Sequence, residues 1–283
     1  MKLGAGTFTW AVDGQDLVTA LREIADLKIQ FVDVAAVMHG HPQELSDDEK
    51  RQAGVVLSDL GLIGSSLVAV EGWANVAAEN EAERQRVWEY FQAALEFAHM
   101  LDVKQLLCKG GDRMIDVPNA KAWDNAVLFL QQLADTSRSD GVFLTLELEW
   151  RTCGLVQSIE QMERMLANVD RENVLANIDL GHVALARDGV EDLRRIAART
   201  VHLHVNDNNT FVHTNSVPGT GDVPLASFVG ALAQGAEEKA RETGQILVAG
   251  IEAERSPGSK EAPSEIVRRS RDWVLANIPE IEL

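Results

Sequence analysis

The sequence predicts a (β/α)8 barrel formed by one domain that spans residues 1–283. Short runs of apolar and β-branched residues alternate with segments whose apolar residues have helical spacing. Successive strand starts lie about 30 residues apart, which is the size of one strand–helix unit. No Pro-, Gly- or Ser-rich linker divides the chain. An open, doubly wound sheet is the alternative fold that this alternation allows.

The predicted strands follow each other at regular intervals along the whole chain. Each is a run of about four to eight mostly apolar residues, as expected for strands that are covered on both faces. The eight runs begin at Leu3, Phe31, Leu62, Val103, Val142, Val174, Thr200 and Ile246.

Helix signals fill the gaps between these strands. Capping boxes, in which a Ser and a residue three positions later cap each other, are predicted at Ser46–Glu49 and Ser158–Gln161. The other helices are indicated by the apolar faces Leu17/Leu21/Ile24/Leu27 and Val87/Phe91/Leu95, and by helix starts near Pro118, Pro224 and Pro263.

The composition is that of a globular protein. The 283 residues are 46% hydrophobic and 25% charged, which excludes disorder for most of the chain. A formal net charge of −18, with no run of Lys or Arg, argues against nucleic acid as a partner. No apolar run reaches the roughly 18–20 residues needed to span a membrane.

The compartment and the assembly state are expectations only. The start of the sequence, MKLGAGTFTW, lacks the apolar region of a secretory signal. Two cysteines, Cys108 and Cys153, form neither a CxxC pair nor a disulfide framework. We therefore expect a cytoplasmic protein, and the sequence leaves open whether it forms a homo-oligomer.

Ionisable side chains occur near the ends of the last four predicted strands, where a buried parallel strand should be apolar. Each has an ordinary explanation when taken alone: a rim ion pair, a hydrogen-bonded core histidine, or the cap of the next turn. Four consecutive strands, however, deliver such a residue at the carboxyl end of the barrel, where barrel active sites lie. The four residues are Glu147, Asp179, His204 and Glu252.

This set of side chains favours a metal site. Three carboxylates and one imidazole suit Mn²⁺, Mg²⁺ or Co²⁺ better than the more thiophilic Zn²⁺, although zinc also accepts these ligands. One divalent ion, with manganese preferred, is therefore predicted. Glu149 and Glu254 share strand faces with Glu147 and Glu252, and we expect them to pair with groups around the site.

The motifs NIDLGH, HLHVND, PGTGDVPL and GIEAE, in this order after a strand-five Glu, resemble the xylose isomerase-like barrel superfamily. The most similar branch is the sugar phosphate isomerase/epimerase group, with D-tagatose 3-epimerases, hydroxypyruvate isomerases and inosose dehydratases. The resemblance implies that Glu147, Asp179, His204 and Glu252 bind one divalent ion. It also implies that His182 and Arg151 bind the substrate.

Two positions depart from the epimerase pattern. Cys153 stands where the epimerases carry a second acid, six residues after Glu147, and Thr210 stands where they carry an Arg, six residues after His204. The resemblance is therefore a better guide to the metal site than to the substrate.

The chemistry that suits such a site is proton transfer next to a carbonyl through a metal-stabilised enediolate. Glu147 and Glu252, from different strands, are the candidate acid–base pair. The leading hypothesis is an isomerase or epimerase of a keto-sugar or polyol. The same enolate serves the alternative, a dehydratase or lyase acting on a keto-sugar, an inosose or a 3-keto-glycoside.

Two other classes are less favoured. A metal-dependent nuclease would need more His ligands and a basic groove, which the net charge of −18 contradicts. A catalytically inactive barrel that serves as a binding subunit would tolerate loss of ligands, whereas all four ligand positions are filled here.

Three further features carry weaker expectations. Trp10 would place an aromatic face against a sugar ring, or would belong to the core. Lys109 would orient a hydroxyl or offset carboxylate charge, or would pair with Glu149. The Gly-rich loop 217–228 would hold a phosphate on its backbone N–H groups, or would be a tight turn into a helix.

Overall fold

The computed structural model describes residues 1–150, 153–209, 211–255 and 259–283. Its strands are β1 (Lys2–Gly6), β2 (Phe31–Ala35), β3 (Ile63–Val68), β4 (Gln105–Lys109), β5 (Phe143–Glu147), β6 (Val174–Asp179), β7 (Thr200–Val205), β8 (Asp207–Asn209), β9 (Val212–Ser216) and β10 (Val248–Ile251).

The helices surround the strands. They are α1 (Phe8–Ala11), α2 (Leu17–Asp26), α3 (Asp47–Asp59), α4 (Glu81–Met100), α5 (Asn119–Ser139), α6 (Ile159–Val169), α7 (Leu180–Ala186), α8 (Val190–Ile196), α9 (Leu225–Thr243) and α10 (Pro263–Asn277), with 3₁₀ turns at Met38–Gly40 and Ala197–Arg199.

Within the described ranges, eight parallel strands close into a barrel in the order β1-β10-β7-β6-β5-β4-β3-β2. Strand β1 pairs with β2 on one side and with β10 on the other, so the sheet has no free edge. The predicted (β/α)8 barrel is therefore confirmed, and the open doubly wound alternative is wrong. In the same ranges, no helix combines the length and the apolarity that crossing a membrane requires.

Local signals account for several helix starts. Ser46 and Glu49 form the predicted capping box at α3, because the side chain of each accepts the backbone N–H of the other. At α6 only half of the predicted box forms. Ser158 Oγ accepts the N–H of Gln161, whereas the Gln161 side chain accepts the N–H of Gln157 instead.

Strand register brings the carboxyl ends of β4 to β7 to one level. Lys109 pairs with Glu147, Glu147 with Asn177, and Asp179 with His204. An irregularity between Ala176 and Asn177 shifts β6 against β7 and allows this alignment. Side chains on four neighbouring strands, β4 to β7, therefore come together at the same end of the barrel.

A polar layer lies in the barrel interior below this end. Asp33 accepts hydrogen bonds from Ser65 Oγ (2.7 Å) and from His202 Nε2 (3.1 Å). Burial alone would raise the pKa of Asp33, but the neighbouring His202 imidazole, with a smaller effect from His204, lowers it below its usual value. Gly250 leaves the space for this carboxylate, because a Cβ there would lie 1.9 Å from Asp33 Oδ2.

Candidate metal centre and cavity

The structure brings together the four residues that the sequence singles out as metal ligands. Glu147 and Asp179 end β5 and β6, His204 lies in β7, and Glu252 directly follows β10. Each offers one ligand atom, and these atoms lie within 4.8 Å of one another. The first three residues are buried and Glu252 is partly exposed, so the cluster opens towards the mouth of the barrel.

The electrostatics of the cluster show a shortage of positive charge. His204 Nδ1 lies 2.9 Å from Glu147 Oε1 and 2.9 Å from Glu252 Oε2. Burial raises the pKa of Glu147 to about 7, even though His204 acts in the opposite direction. For His204 burial acts in the other direction and would lower the pKa, but the carboxylates of Glu252 and Glu147 raise it well above its usual value. Burial would raise the pKa of Glu252, but His204 lowers it below its usual value, so the single imidazole compensates the charge of Glu252 more fully than that of Glu147.

A divalent cation fits this donor set. Three buried or partly buried carboxylates with a single imidazole are oxygen-rich, hard ligands that Mn²⁺, Mg²⁺, Co²⁺ or Zn²⁺ accept. Two positive charges would offset the carboxylate charge that His204 leaves uncompensated. The residues that would hold the ion are Glu147, Asp179, His204 and Glu252.

Cation affinity is expected to rise with pH. Coordination requires Glu147 without its proton and His204 Nδ1 without its proton, and both pKa values lie above those of free side chains. Lowering the pH through about 7 fills these positions with protons, so Mn²⁺ affinity should fall by up to tenfold per unit for each proton displaced. Isothermal titration of Mn²⁺ between about pH 6 and about pH 8 measures this, and a pH-independent affinity would contradict it.

Neighbouring amides and a fourth carboxylate, that of Asp33, surround the proposed ligands. Asn177 Nδ2 donates to Glu147 Oε1 (2.6 Å), and Asn206 Nδ2 donates to Asp179 Oδ2 (2.5 Å). Asp33 Oδ2 lies 3.8 Å from His204 Nε2, on the opposite side of the ring from the carboxylates. Hydrogen-bonded ligands of this kind are preorganised for a metal.

Asp179 also has the structural role that the sequence left open. Its Oδ1 accepts the backbone N–H of His182 at 2.7 Å and so caps the start of α7. The cap fixes the carboxylate and also orients the turn that carries His182 into the cavity. The two roles are compatible because a carboxylate has about four lone-pair sites, and the helix cap uses only one of them.

A cavity of about 250 Å³ opens above the cluster. One wall is apolar and is formed by Phe8, Val37, Met38 and Val70, which follow β1, β2 and β3. The other walls carry polar groups, namely Glu71, Glu147, Glu149, His182, His213, Asn215, Glu252 and Glu254. This volume is just below the usual range for drug-sized ligands, so the cavity suits a small polar molecule.

The other predicted substrate-binding residues are placed differently. His182 lines the cavity, with its Nδ1 2.9 Å from Leu148 O. Trp10 does not face the cavity: its indole is buried and donates to Glu23 Oε2 at 2.8 Å. The helical turn α1 directs position 10 into the core and leaves Phe8 at the cavity. Arg151 lies outside the described residues.

Lys109 and the Gly-rich loop both have internal partners. The Lys109 ammonium lies 3.4 Å from Asp112 Oδ2, so it offsets the charge of that carboxylate. The backbone N–H groups that the loop offered to a phosphate donate instead to a carboxylate of the chain, that of Asp207, from Gly219, Gly221 and Val223. The loop is therefore a tight turn into α9, and its phosphate-binding interpretation is wrong.

Two polar cavity residues that follow β7 were not found from the sequence. His213 and Asn215 lie in β9, and the hairpin of β8 and β9 brings them over the barrel mouth. Nothing in their spacing relates them to the barrel strands, because the hairpin is an insertion after β7. The nearest motif in the sequence is HLHVND, which marks β7 and ends at Asp207, the first residue of β8.

The fold and the convergent ligands define a barrel with a candidate metal centre at its carboxyl end. The family model of the xylose isomerase-like TIM barrel matches residues 21–238. The chain therefore belongs to the xylose isomerase-like TIM barrel family, which confirms the resemblance inferred from its motifs.

Individual relatives are distant in sequence. An L-ribulose 3-epimerase of Mesorhizobium japonicum is 21% identical over 181 residues, which cover 62% of this chain and 59% of that protein. The match thus spans less than two thirds of the relative. Among solved structures, the IolI protein with a bound zinc atom aligns with a TM-score of 0.83 and 19% identity, over 99% of both chains. D-Psicose 3-epimerase with D-tagatose, from Clostridium cellulolyticum H10, aligns with a TM-score of 0.77 and 16% identity. This alignment covers 98% of this chain and 99% of that chain.

Proposed function

We propose that this protein is a divalent-metal-dependent isomerase or epimerase that acts on a keto-sugar or a polyol. The observation that carries the proposal is the convergence of Glu147, Asp179, His204 and Glu252 below a small, mostly polar cavity. The L-ribulose and D-psicose epimerases among the similar proteins support it. The zinc-bound IolI structure supports a divalent ion.

The acid–base work falls to the two glutamates. A bound divalent ion would supply a Lewis acid that polarises a substrate carbonyl and offsets the negative charge that develops beside it. Glu147 ends β5 and Glu252 follows β10, and both line the cavity. One takes a proton from the carbon next to the carbonyl and the other returns one to it.

The remaining polar groups orient the substrate. His182 lines the cavity and would bond a substrate hydroxyl with the ring nitrogen that Leu148 does not occupy. Phe8 and its apolar neighbours offer a surface for the C–H face of a sugar ring. Because Asp207 occupies the N–H groups of the Gly-rich loop, we propose an unphosphorylated substrate.

The proposal is tested by hydrogen exchange. The Mn²⁺-loaded protein is incubated in D₂O with D-tagatose, D-psicose or L-ribulose, and each product is analysed by NMR and mass spectrometry. We expect deuterium at the carbon next to the carbonyl and an epimeric or isomeric product. EDTA-treated protein is the control. An elimination product would indicate the dehydratase or lyase alternative, and an absence of both exchange and metal dependence would overturn the proposal.

A further inference from the structure

The hairpin formed by β8 and β9 places a second imidazole against His182. His213 Nε2 lies 3.0 Å from His182 Nε2, and the centroids of the two rings are 4.8 Å apart. The His213 ring also packs against the indole of Trp150, at 5.2 Å between centroids and 30° between planes. Both histidines line the cavity above the candidate metal centre.

The short contact between the two rings requires that one ring nitrogen donates and the other accepts. The partner of His182 Nδ1 is the carbonyl oxygen of Leu148, which can only accept, so Nδ1 carries a proton. When the His182 ring is neutral, its Nε2 accepts a hydrogen bond from His213 Nε2; when the ring is protonated, His182 Nε2 donates and His213 Nε2 accepts. The pair therefore presents one donor nitrogen and one acceptor nitrogen at the same point of the cavity.

A chain of buried amides fastens the hairpin to a proposed metal ligand. Asn208 Oδ1 accepts the backbone N–H groups of Thr214 (2.6 Å) and Asn215 (3.0 Å), the two residues that follow His213 in β9. Asn208 Nδ2 donates to Asn206 Oδ1 at 3.3 Å, and Asn206 in turn donates to Asp179. Asn206 and Asn208 are fully buried.

A glycine makes room for this chain. A Cβ at Gly181 would lie 1.9 Å from Asn206 Oδ1 and 2.2 Å from Asn208 Nδ2. The turn that follows Asp179 is thus built around the two amides, so the hairpin has a defined position relative to the candidate metal centre.

We propose that His182 and His213 form a clamp for one substrate hydroxyl group, and that Asn208 is the positioning residue that holds His213 in place. A hydroxyl both donates and accepts, so it can replace the direct bond between the rings by bonding to both nitrogens. This inference rests on the proposed function, since it assumes a polyhydroxylated substrate. It assigns His213, which no motif indicates, to substrate binding.

The first test replaces His213 by Phe in the full-length, Mn²⁺-loaded protein. Phe keeps the aromatic contact with Trp150 and removes the nitrogen. The KM for a ketose that the enzyme converts should rise about tenfold, as expected for one lost hydrogen bond, with a smaller change in kcat. Mn²⁺ affinity, measured by EPR, should stay unchanged. Ser216→Ala, on the same hairpin, is the matched control and should leave KM unaltered.

The second test is a double-mutant cycle with Asn208→Ala. If Asn208 acts through His213, Asn208→Ala raises KM in the wild-type background and has little further effect in the His213→Phe background. Additive effects of the two substitutions would overturn the positioning role. A KM for His213→Phe within twofold of the wild-type value would overturn the clamp.

Binding without turnover separates this inference from the proposed function. Ketose binding is followed by its effect on the water-proton relaxation of the bound Mn²⁺. Binding that depends on His213 without deuterium exchange would support the clamp and contradict the isomerase. Deuterium exchange by the wild-type protein, together with an unchanged KM for His213→Phe, would support the isomerase and contradict the clamp. If none of the ketoses changes the water-proton relaxation of the wild-type, Mn²⁺-loaded protein, the clamp would be overturned as well.

Discussion

Replacing Glu147 by Gln is expected to lower kcat by a factor of about 10²–10⁴, the usual contribution of a general acid–base group. Gln has the same shape and keeps an oxygen that can accept from Asn177 and His204, but it can neither take up a proton nor bear a charge. Glu252→Gln should have an effect of similar size because Glu252 is the partner in the proton transfer. Steady-state kinetics with the ketose that shows exchange, together with Mn²⁺ affinity by EPR, measures both effects.

The matched control for these variants is Glu81→Gln, which removes an exposed carboxylate in the first turn of α4. It should retain full activity and wild-type Mn²⁺ affinity. A Glu147→Gln/Glu252→Gln double variant that remains fully active would end the proposed mechanism. The Glu147→Gln and Glu252→Gln variants should remain folded but bind Mn²⁺ more weakly, because both glutamates are proposed ligands.

Asp207→Asn is expected to reduce the free energy of unfolding by about 2–5 kcal/mol, since buried donors left unsatisfied cost roughly 1–3 kcal/mol each. Asp207 is buried, and Oδ2 accepts the N–H groups of Gly219 and Gly221. Oδ1 accepts those of Asn208 and Val223. Whichever way it is turned, the Asn amide must direct its NH₂ group towards two backbone donors. Urea denaturation followed by circular dichroism measures the loss.

Asp222→Asn serves as the control because Asp222 lies in the same loop and is exposed. It makes the same chemical change and should alter stability by less than about 0.5 kcal/mol, as is usual for surface substitutions. Equal stability of Asp207→Asn and the wild-type protein would show that the Asp207 carboxylate does not organise the loop.

The barrel could be predicted because its signals are local and repeated. Each strand is a short apolar run and each helix has its own periodicity, so the order of the elements could be read directly. The convergence of Glu147, Asp179, His204 and Glu252 followed from one rule, that the carboxyl ends of parallel strands meet at one end of a barrel. Their coincidence on four consecutive strands carried more information than any single residue.

The remaining parts of the site depend on contacts between distant segments. Trp10 and Phe8 are two residues apart, and only the helical turn between them decides which one faces the cavity. His213 reaches His182 through a hairpin whose position is set by side-chain amides. Asp33 meets His202 across the barrel, 169 residues further along the chain. None of these pairings leaves a period or a motif in the sequence.

The amide chain through Asn206 and Asn208 fixes the base of the β8–β9 hairpin and leaves the described residues of its tip free of such bonds to the proposed cation ligands. The root of the hairpin is tied to Asp179, whereas its tip carries Phe211 and Val212, which are 77% and 53% exposed. Loop grafts that keep Asn208 and Gly181 but exchange the tip would therefore change the exposed surface beside the barrel mouth without disturbing the proposed cation ligands.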